Sequence, residues 1–268
     1  EVNLEPIYIT GTGVVSAIGI GKDETLAALL AGRTGIGRMK YLPSCHNDLP
    51  VGEVPLSNEE MVQLLGIADN VRYTRTALMG KLVLREALQE ACLEGEALSE
   101  AHFISATTVG GMDRRETYYE HEQSCDETYA QIATHHCGSC TEMVAEGLGP
   151  FASMATVSTA CSSATNAMIT GANMLRCGMA DIVVVGGTES LTKFHLNGFN
   201  ALMILDAQQC RPFDRDRAGL NLGEGAAYLV LETAESVRKR GVKPLCVLSG
   251  YGNACDAFHQ TASSPDDD

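Results

Sequence analysis

Residues 155–164 read ATVSTACSSA and place a single cysteine between two hydrophobic patterns of different period. Before the cysteine, residues 155–160 form a short apolar run of the kind that a buried strand shows. After it, small and apolar side chains recur at helical spacing, which predicts a helix over residues 162–177 with one packed face. That face comprises Ala164, Ala167, Met168, Gly171, Ala172 and Leu175. Cys161 therefore falls where a strand is predicted to end and a helix to begin.

A cysteine at such a junction faces backbone N–H groups without a helical partner, together with the positive end of the helix dipole. Both features favour the thiolate over the thiol, and the thiolate is the nucleophile. The same N–H groups can hold the oxyanion that develops during acyl transfer. The alternative interpretation is a structural cysteine buried in a tight turn, and the local pattern leaves both interpretations open.

Strand and helix patterns alternate along the rest of the chain. Further strands are predicted at residues 7–10, 103–109, 182–185, 223–232 and 245–251, and helices at residues 22–31, 74–94 and 234–240. Residues 11–15 are expected to turn after the first strand, residues 38–70 to form a surface excursion, and residues 113–149 to be mostly helical. Strands that alternate with helices favour parallel pairing and a layered α/β fold.

Composition narrows the function classes. The chain has 34 Asp and Glu against 19 Lys and Arg, and 19 minus 34 gives a formal charge of −15. This acidic balance argues against binding to a nucleic-acid backbone, which requires clustered Lys and Arg. No apolar run approaches the length of a bilayer crossing, and the acidic first residues do not resemble a signal peptide. With 10 cysteines and no secretory signal, we expect free thiols in a reducing cytoplasm.

One short motif suggests nucleotide chemistry instead. Residues 11–13, Gly-Thr-Gly, follow a strand as in dinucleotide-binding proteins. The third glycine of that motif would fall at Ser16, however, and no acidic residue ends a strand about 20 residues later. A tight turn is the expected role of this glycine pair.

Two further motifs suggest metals. Residues 135–140, HHCGSC, could form a metal or redox site with His121 and Cys125, although the spacing is poor for zinc. Residues 214–217, DRDR, could hold magnesium or form an ion-pair network within a loop. We expect loop thiols in the first case and ion pairs in the second, with no metal and no cofactor.

Eight short blocks follow one another along the chain: TGTGVVS (10–16), LAGRTGI (30–36), TTVGGM (107–112), STACSSA (158–164), VVGGTE (184–189), RPFDRDR (211–217), LGEGA (222–226) and GYGNACDAFH (250–259). In this order they resemble the blocks of the β-ketoacyl-acyl-carrier-protein synthases, the elongating condensing enzymes of the thiolase superfamily. Any one block is weak, but their order and spacing together are specific, and they extend over essentially the whole chain. The Thr-Ala-Cys-Ser-Ser form is closer to the elongating enzymes than to the initiating enzymes or the thiolases.

The resemblance implies the thiolase fold, a five-layer α-β-α-β-α stack built from two similar halves. We expect residues 1–241 to be the half that bears the nucleophile and residues 242–268 to begin the second half. In the implied reaction, Cys161 takes an acyl chain as a thioester from acyl carrier protein. A malonyl unit on the carrier then loses carbon dioxide, and its carbanion attacks the thioester to give a β-ketoacyl chain two carbons longer.

The resemblance also assigns residues near the nucleophile. Val109 and Met112 match a stretch that lines the acyl pocket in the family, so they are expected to bind substrate. Asp256 and His259 match a block that lies close behind the site. These four residues are therefore expected around Cys161.

Other parts of the chain are expected to support the site and its partners. Glu224, between two glycines at a strand start, is expected to be a buried acid bonded to backbone or to arginine. Residues 113–149 correspond to the segment that caps the pocket and reaches across a dimer in the family. The implied partners are acyl carrier protein and a related synthase chain, in a homodimer or a heterodimer.

The family's remaining catalytic groups stand in blocks that this sequence does not contain. Two histidines lie in His-Gly-Thr and Gly-His blocks, and a Gly-Phe-Gly block supplies the second oxyanion N–H; none of the three occurs in these 268 residues. The chain is then the N-terminal part of a longer product, or a second chain supplies the rest. A third interpretation is a non-catalytic partner subunit similar to a chain-length factor, although such partners usually lack the active cysteine.

We expect the isolated 268-residue protein to form no carbon–carbon bonds, because it lacks these histidines. The measurement is product formation from acyl- and malonyl-carrier protein, followed by mass spectrometry. Steady condensation by the pure protein would overturn this expectation.

Overall fold

The computed structural model describes residues 5–68, 73–118, 133–255, 257–259 and 264. A seven-stranded mixed sheet lies at the centre of the molecule. The strands of this sheet are β1 (Ile7–Ser16), β2 (Gly19–Ile20), β5 (His102–Ala106), β6 (Ser153–Val157), β7 (Ile182–Glu189), β8 (Gly225–Thr233) and β9 (Cys246–Val247). Their order in the sheet is β2-β1-β8-β7-β5-β6, with β9 also paired to β1. Strands β3 (Ile36–Gly37) and β4 (Val51–Gly52) form a separate two-stranded sheet.

Helices cover both faces of the large sheet. They are α1 (Lys22–Leu30), α2 (Asn58–Leu65), α3 (Arg75–Glu90), α4 (Gly95–Glu100), α5 (Met112–Tyr118), α6 (Cys137–Ala145), α7 (Ser163–Arg176), α8 (Lys193–Ala201) and α9 (Ala234–Arg240), with a 3₁₀ turn at Ala133–His135. None of the helices in the described ranges combines the length and the apolar composition needed to span a bilayer.

Alternate side chains of β7 divide the core into two layers. Val184 packs with the buried face of α3, whereas Val183 and Val185 pack with that of α7. Since neighbouring side chains of a strand point to opposite faces, α3 and α7 lie on opposite sides of the sheet. The layered α/β prediction is thus confirmed.

The prediction of parallel pairing is only partly correct. Strand β5 pairs in parallel with β6 and β7, but β8 is antiparallel to both β7 and β1. Gly225 lies opposite Glu189, so β8 begins at the same end of the sheet where β7 finishes. The connection between them therefore does not cross the sheet, and the returning strand must run the other way.

The turn predicted at residues 11–15 is wrong, because these residues continue β1. A Cβ at Gly11 would overlap the carbonyl oxygen of Ala87, and one at Gly13 would overlap that of Val83. Both glycines thus let α3 approach the strand closely, which a local reading of Gly-Thr-Gly cannot reveal. The dinucleotide interpretation fails with the turn.

The surface excursion predicted at residues 38–70 contains a helix and part of the core. Ser57 and Glu60 form a capping box at the start of α2, and Met61 and Val54 are buried. The Ser-x-x-Glu pattern was a detectable signal for that helix. Helices α4 and α8 were not predicted, and the strand predicted over residues 245–251 pairs only at Cys246–Val247.

Asp113 joins α5 to α3. Its Oδ2 accepts a hydrogen bond of 2.8 Å from the backbone N–H of Arg75, while its Oδ1 is fully buried and has no hydrogen-bond partner among the described residues. Burial raises the pKa of this carboxyl from 3.8 to about 6, against the opposing effect of the Arg75 amide. Asp113 is therefore protonated more readily in the folded chain than in the unfolded one.

Gly13→Ala should lower the free energy of unfolding by about 1–3 kcal/mol, because the added methyl group would overlap the backbone of α3. Gly37→Ala is the matched control, since Gly37 lies in a strand with open space around its Cβ position. Urea unfolding of both variants gives the comparison. Equal stabilities of the two variants would contradict the packing described for β1.

Asp113→Asn should flatten the pH dependence of stability. The folded chain binds the Asp113 proton more tightly, so this group makes the free energy of unfolding fall as pH rises from 3.8 to about 6. The neutral amide removes that fall and should stabilise the protein at neutral pH by about 1–3 kcal/mol.

The measurement is urea unfolding across that pH range, with Asp23→Asn, an exposed carboxylate on α1, as the control. Parallel pH profiles for the native protein and Asp113→Asn would show that the carboxyl is not perturbed.

Candidate active site

Cys161 lies between the end of β6 and the start of α7, as predicted, and its side chain is exposed. The preceding residue, Ala160, adopts φ 52°, a left-handed conformation that residues other than glycine rarely take. The Ser163 hydroxyl holds this turn: it accepts from the Thr159 N–H at 2.8 Å and donates to the Ala160 carbonyl at 2.6 Å. The cysteine is thus presented on a tight strand-to-helix turn.

Close packing fixes the position of α7. A Cβ at Gly171 would overlap Cγ1 of Val185, so this helix approaches β7 as closely as a glycine allows. Of the predicted packed face, Ala167, Gly171, Ala172 and Leu175 are buried, Met168 is half-buried, and Ala164 is exposed. The N-terminus of α7 is therefore held rigidly against the sheet.

A cavity of ≈ 640 Å³ opens beside Cys161, and the sulfur is not sealed in the core. Val109 lines this cavity, together with Ala160, Ser163 and Ala164 from the turn and the first residues of α7. Much of the wall is apolar and includes Val14, Val15, Leu191, Phe199 and Leu222. Such a wall suits a hydrocarbon chain attached to the cysteine.

Two cavity residues, Glu189 and His195, were missed by sequence reasoning. The Glu189 carboxylate accepts the backbone N–H of Val109 at 3.0 Å and also that of Thr108. His195 lies in α8, and Thr192 caps that helix by accepting the His195 N–H at 3.2 Å. The threonine cap was the signal that could have placed the histidine on a helix.

The other predicted site residues are distributed differently. Met112 begins α5, where its Sδ lies 3.9 Å from the Thr192 hydroxyl, and it does not line the cavity. His259 is exposed and also lies outside the cavity wall. Asp256 falls outside the described residues. Of the three described residues, Val109 lines the cavity, whereas Met112 and His259 do not.

Glu224 is a buried acid that joins several loops around the cavity. Its carboxylate accepts hydrogen bonds from Nε of Arg75 at 3.0 Å and from the backbone N–H groups of Val54 at 2.9 Å and Leu191 at 3.0 Å. Arg75 is buried as well and also donates to the Val54 carbonyl at 3.1 Å. These hydrogen bonds offset the free-energy cost of removing the two charges from water, as a buried ion pair requires.

The HHCGSC motif lies at the start of α6, with Cys137 its first residue. Burial raises the pKa of the Cys140 thiol well above its ordinary value, which makes it a poor metal ligand. Within the described ranges, no group of three or more His, Cys, Asp or Glu side chains could hold a metal ion. His121 and Cys125 lie outside those ranges.

The residues of the DRDR motif make their contacts within their own surface loop. Asp214 accepts the backbone N–H of Asp216 at 2.7 Å, and its carboxylate lies 3.9 Å from the Arg211 guanidinium. Arg217 donates to the Asp214 carbonyl at 3.1 Å. Loop stabilisation explains this motif without magnesium.

Comparisons with known proteins agree with this geometry. The chain matches the model of the beta-ketoacyl synthase N-terminal domain over residues 4–236. Nodulation protein E of Rhizobium meliloti (strain 1021) is 30% identical, over a match that covers 96% of this chain and 65% of the relative. The 3-oxoacyl-[acyl-carrier-protein] synthase 2 of Staphylococcus aureus (strain COL) is 29% identical, over a match that covers 97% of this chain and 65% of the relative.

A solved structure is similar over the same length. The ishigamide ketosynthase/chain length factor superimposes with a TM-score of 0.86 at 29% identity, over 97% of this chain and 66% of that chain. The present chain spans about two thirds of the length of these relatives. Since the family model matches most of the sequence and the fold is that of a ketosynthase, the chain belongs to the beta-ketoacyl synthase family.

Proposed function

We propose that this chain supplies the nucleophile of a 3-oxoacyl-[acyl-carrier-protein] synthase and accepts acyl groups on Cys161. The observation that carries the proposal is the exposed thiol at the N-terminus of α7, on the wall of a largely apolar cavity. A structural cysteine would have no need of either the accessible sulfur or the adjoining cavity. The named synthase among the relatives supports the same assignment.

The loading step is a thioester exchange. The Cys161 thiolate attacks the carbonyl carbon of an acyl thioester carried by acyl carrier protein, which forms a new carbon–sulfur bond. The carrier's sulfur leaves and takes a proton, so the carrier is released as a free thiol. Backbone N–H groups in the first turn of α7 hold the oxyanion of the intermediate, and the apolar wall takes up the acyl chain.

The condensing step is assigned to groups outside the described site. The acyl thioester on Cys161 would be attacked by the carbanion left when a malonyl carrier loses carbon dioxide, giving a 3-oxoacyl carrier. We assign neither the decarboxylation nor the second oxyanion donor to any residue of this chain. We also propose that residues 1–241 form the half of the fold that bears the nucleophile and that residues 242–268 begin the second half.

A second synthase chain is the proposed structural partner, as a homodimer or a heterodimer. Among the described strands, β6 pairs only with β5 and ends the order of the large sheet. Ser153, Met154 and Ala155 of this strand are all exposed. An exposed strand edge that carries an apolar residue favours pairing with another chain. The ishigamide structure is described as a ketosynthase/chain length factor, which supports such a pairing. The alternative is a non-catalytic role similar to that of a chain-length factor. The accessible Cys161 argues against this role, because such partners usually lack the active cysteine.

Incubation with an acyl-pantetheine thioester should give one acyl adduct, located on Cys161 and detected by intact-protein and peptide mass spectrometry. Cys161→Ser should abolish the adduct. Cys177→Ser is the matched control, because Cys177 is also exposed but lies at the other end of α7, and this variant should load normally.

Absence of the adduct in the native protein would contradict the enzymatic role. Absence of the adduct together with tight binding to another synthase chain would instead support the partner-subunit role. An adduct that persists in Cys161→Ser would show that a different thiol is the acceptor.

A further inference from the structure

Most polar side chains on the wall of the Cys161 cavity already hydrogen-bond within the protein. Thr188 donates to the Thr76 carbonyl at 2.7 Å, and the Ser190 hydroxyl lies 2.7 Å from that of Thr76. Glu189 accepts backbone N–H groups, as described above. Each of these groups therefore already has a hydrogen-bond partner within the protein.

His195 differs from them. It and Phe199 are separated by one helical turn of α8, and both line the cavity, so this face of the helix points into it. Nδ1 of His195 lies 2.7 Å from the hydroxyl of Thr192, a fully buried residue that fixes the ring orientation. Nε2 makes no hydrogen bond to any described residue and is not among the fully buried polar atoms. The imidazole thus offers one nitrogen to a ligand.

The chemistry of this nitrogen indicates which ligand group it suits. Thr192 can donate to Nδ1 or accept from it, so Nε2 is a hydrogen-bond donor in one tautomer and an acceptor in the other. A hydroxyl group is both donor and acceptor, and it can pair with either tautomer. A saturated chain pairs with neither tautomer. It would displace water from Nε2 without replacing the hydrogen bond that water makes to this nitrogen.

We propose that His195 is a specificity-determining residue that selects acyl thioesters bearing a hydroxyl group over saturated chains of the same length. The inference rests on the proposed function, because it takes Cys161 as the acyl acceptor. The apolar residues around His195 contact the hydrocarbon part of the acyl chain, and Nε2 forms a hydrogen bond with the hydroxyl group of that chain. Sites that hydrogen-bond a substrate hydroxyl discriminate against the analogue without it for this reason.

The test is a competition for Cys161. Equal amounts of octanoyl-pantetheine and one hydroxyoctanoyl-pantetheine are mixed with the protein, and the ratio of the two adducts is read by mass spectrometry. The measurement is repeated for each position of the hydroxyl. The native protein should favour the hydroxylated chain by about fivefold for at least one position, the size expected of one hydrogen bond.

His195→Leu and His195→Phe should lose this preference while total loading continues, and His195→Gln should keep part of it because its amide can still hydrogen-bond. Two apolar variants are used so that, if one of them fails to fold, the other still tests the preference. Asn197→Leu is the control: Asn197 is exposed on the same helix, does not line the cavity, and should leave the ratio unchanged.

An unchanged ratio in a folded apolar variant would overturn the inference, and so would a native protein that prefers the saturated chain at every position. In both cases the adducts still form, and the proposed function stands. Failure of every thioester to load the native protein would overturn the proposed function, and this inference with it.

Discussion

Helix α7 lies against strand β7 at a separation that only a glycine permits, and the position of the Cys161 sulfur depends on this contact. Gly171 faces Val185 without a side chain of its own, and Ala167 and Ala172 continue the close approach. The helix cannot shift along the sheet without losing this fit. Its N-terminus, the left-handed Ala160 and the exposed Cys161 are therefore held at one place above the cavity.

The buried pair of Glu224 and Arg75 supports the part of the cavity wall that contains Leu191. Through Val54 and Leu191, the Glu224 carboxylate connects the chain after β4, the start of α3 and the segment before α8. Leu191 also lines the cavity, so the ion pair supports the wall without entering it. Removal of one partner would leave an uncompensated buried charge, and the wall would lose several of its attachments at once.

The sequence allowed prediction of those features that local pattern determines. The Cys161 junction and the packed face of α7 follow from a change of hydrophobic period over adjacent residues, and the structure contains both. Gly11 and Gly13 were misassigned because their role depends on α3, which packs against them from 70 residues away in the sequence. His195 was missed because α8 is short and no periodic pattern marked it. Met112 was expected at the pocket from family resemblance, whereas the packing of α5 places its sulfur beside Thr192.

We propose that the N-terminus of α7 activates the sulfur beside it, and the same helix provides the control. Cys161 and Cys177 lie at its two ends, both are exposed, and they face ends of the helix dipole that have opposite sign. The direct measurement is the rate of iodoacetamide alkylation of each thiol at neutral pH, followed by peptide mass spectrometry. Cys161 should react several-fold faster than Cys177. Equal rates, or a faster Cys177, would contradict the proposal.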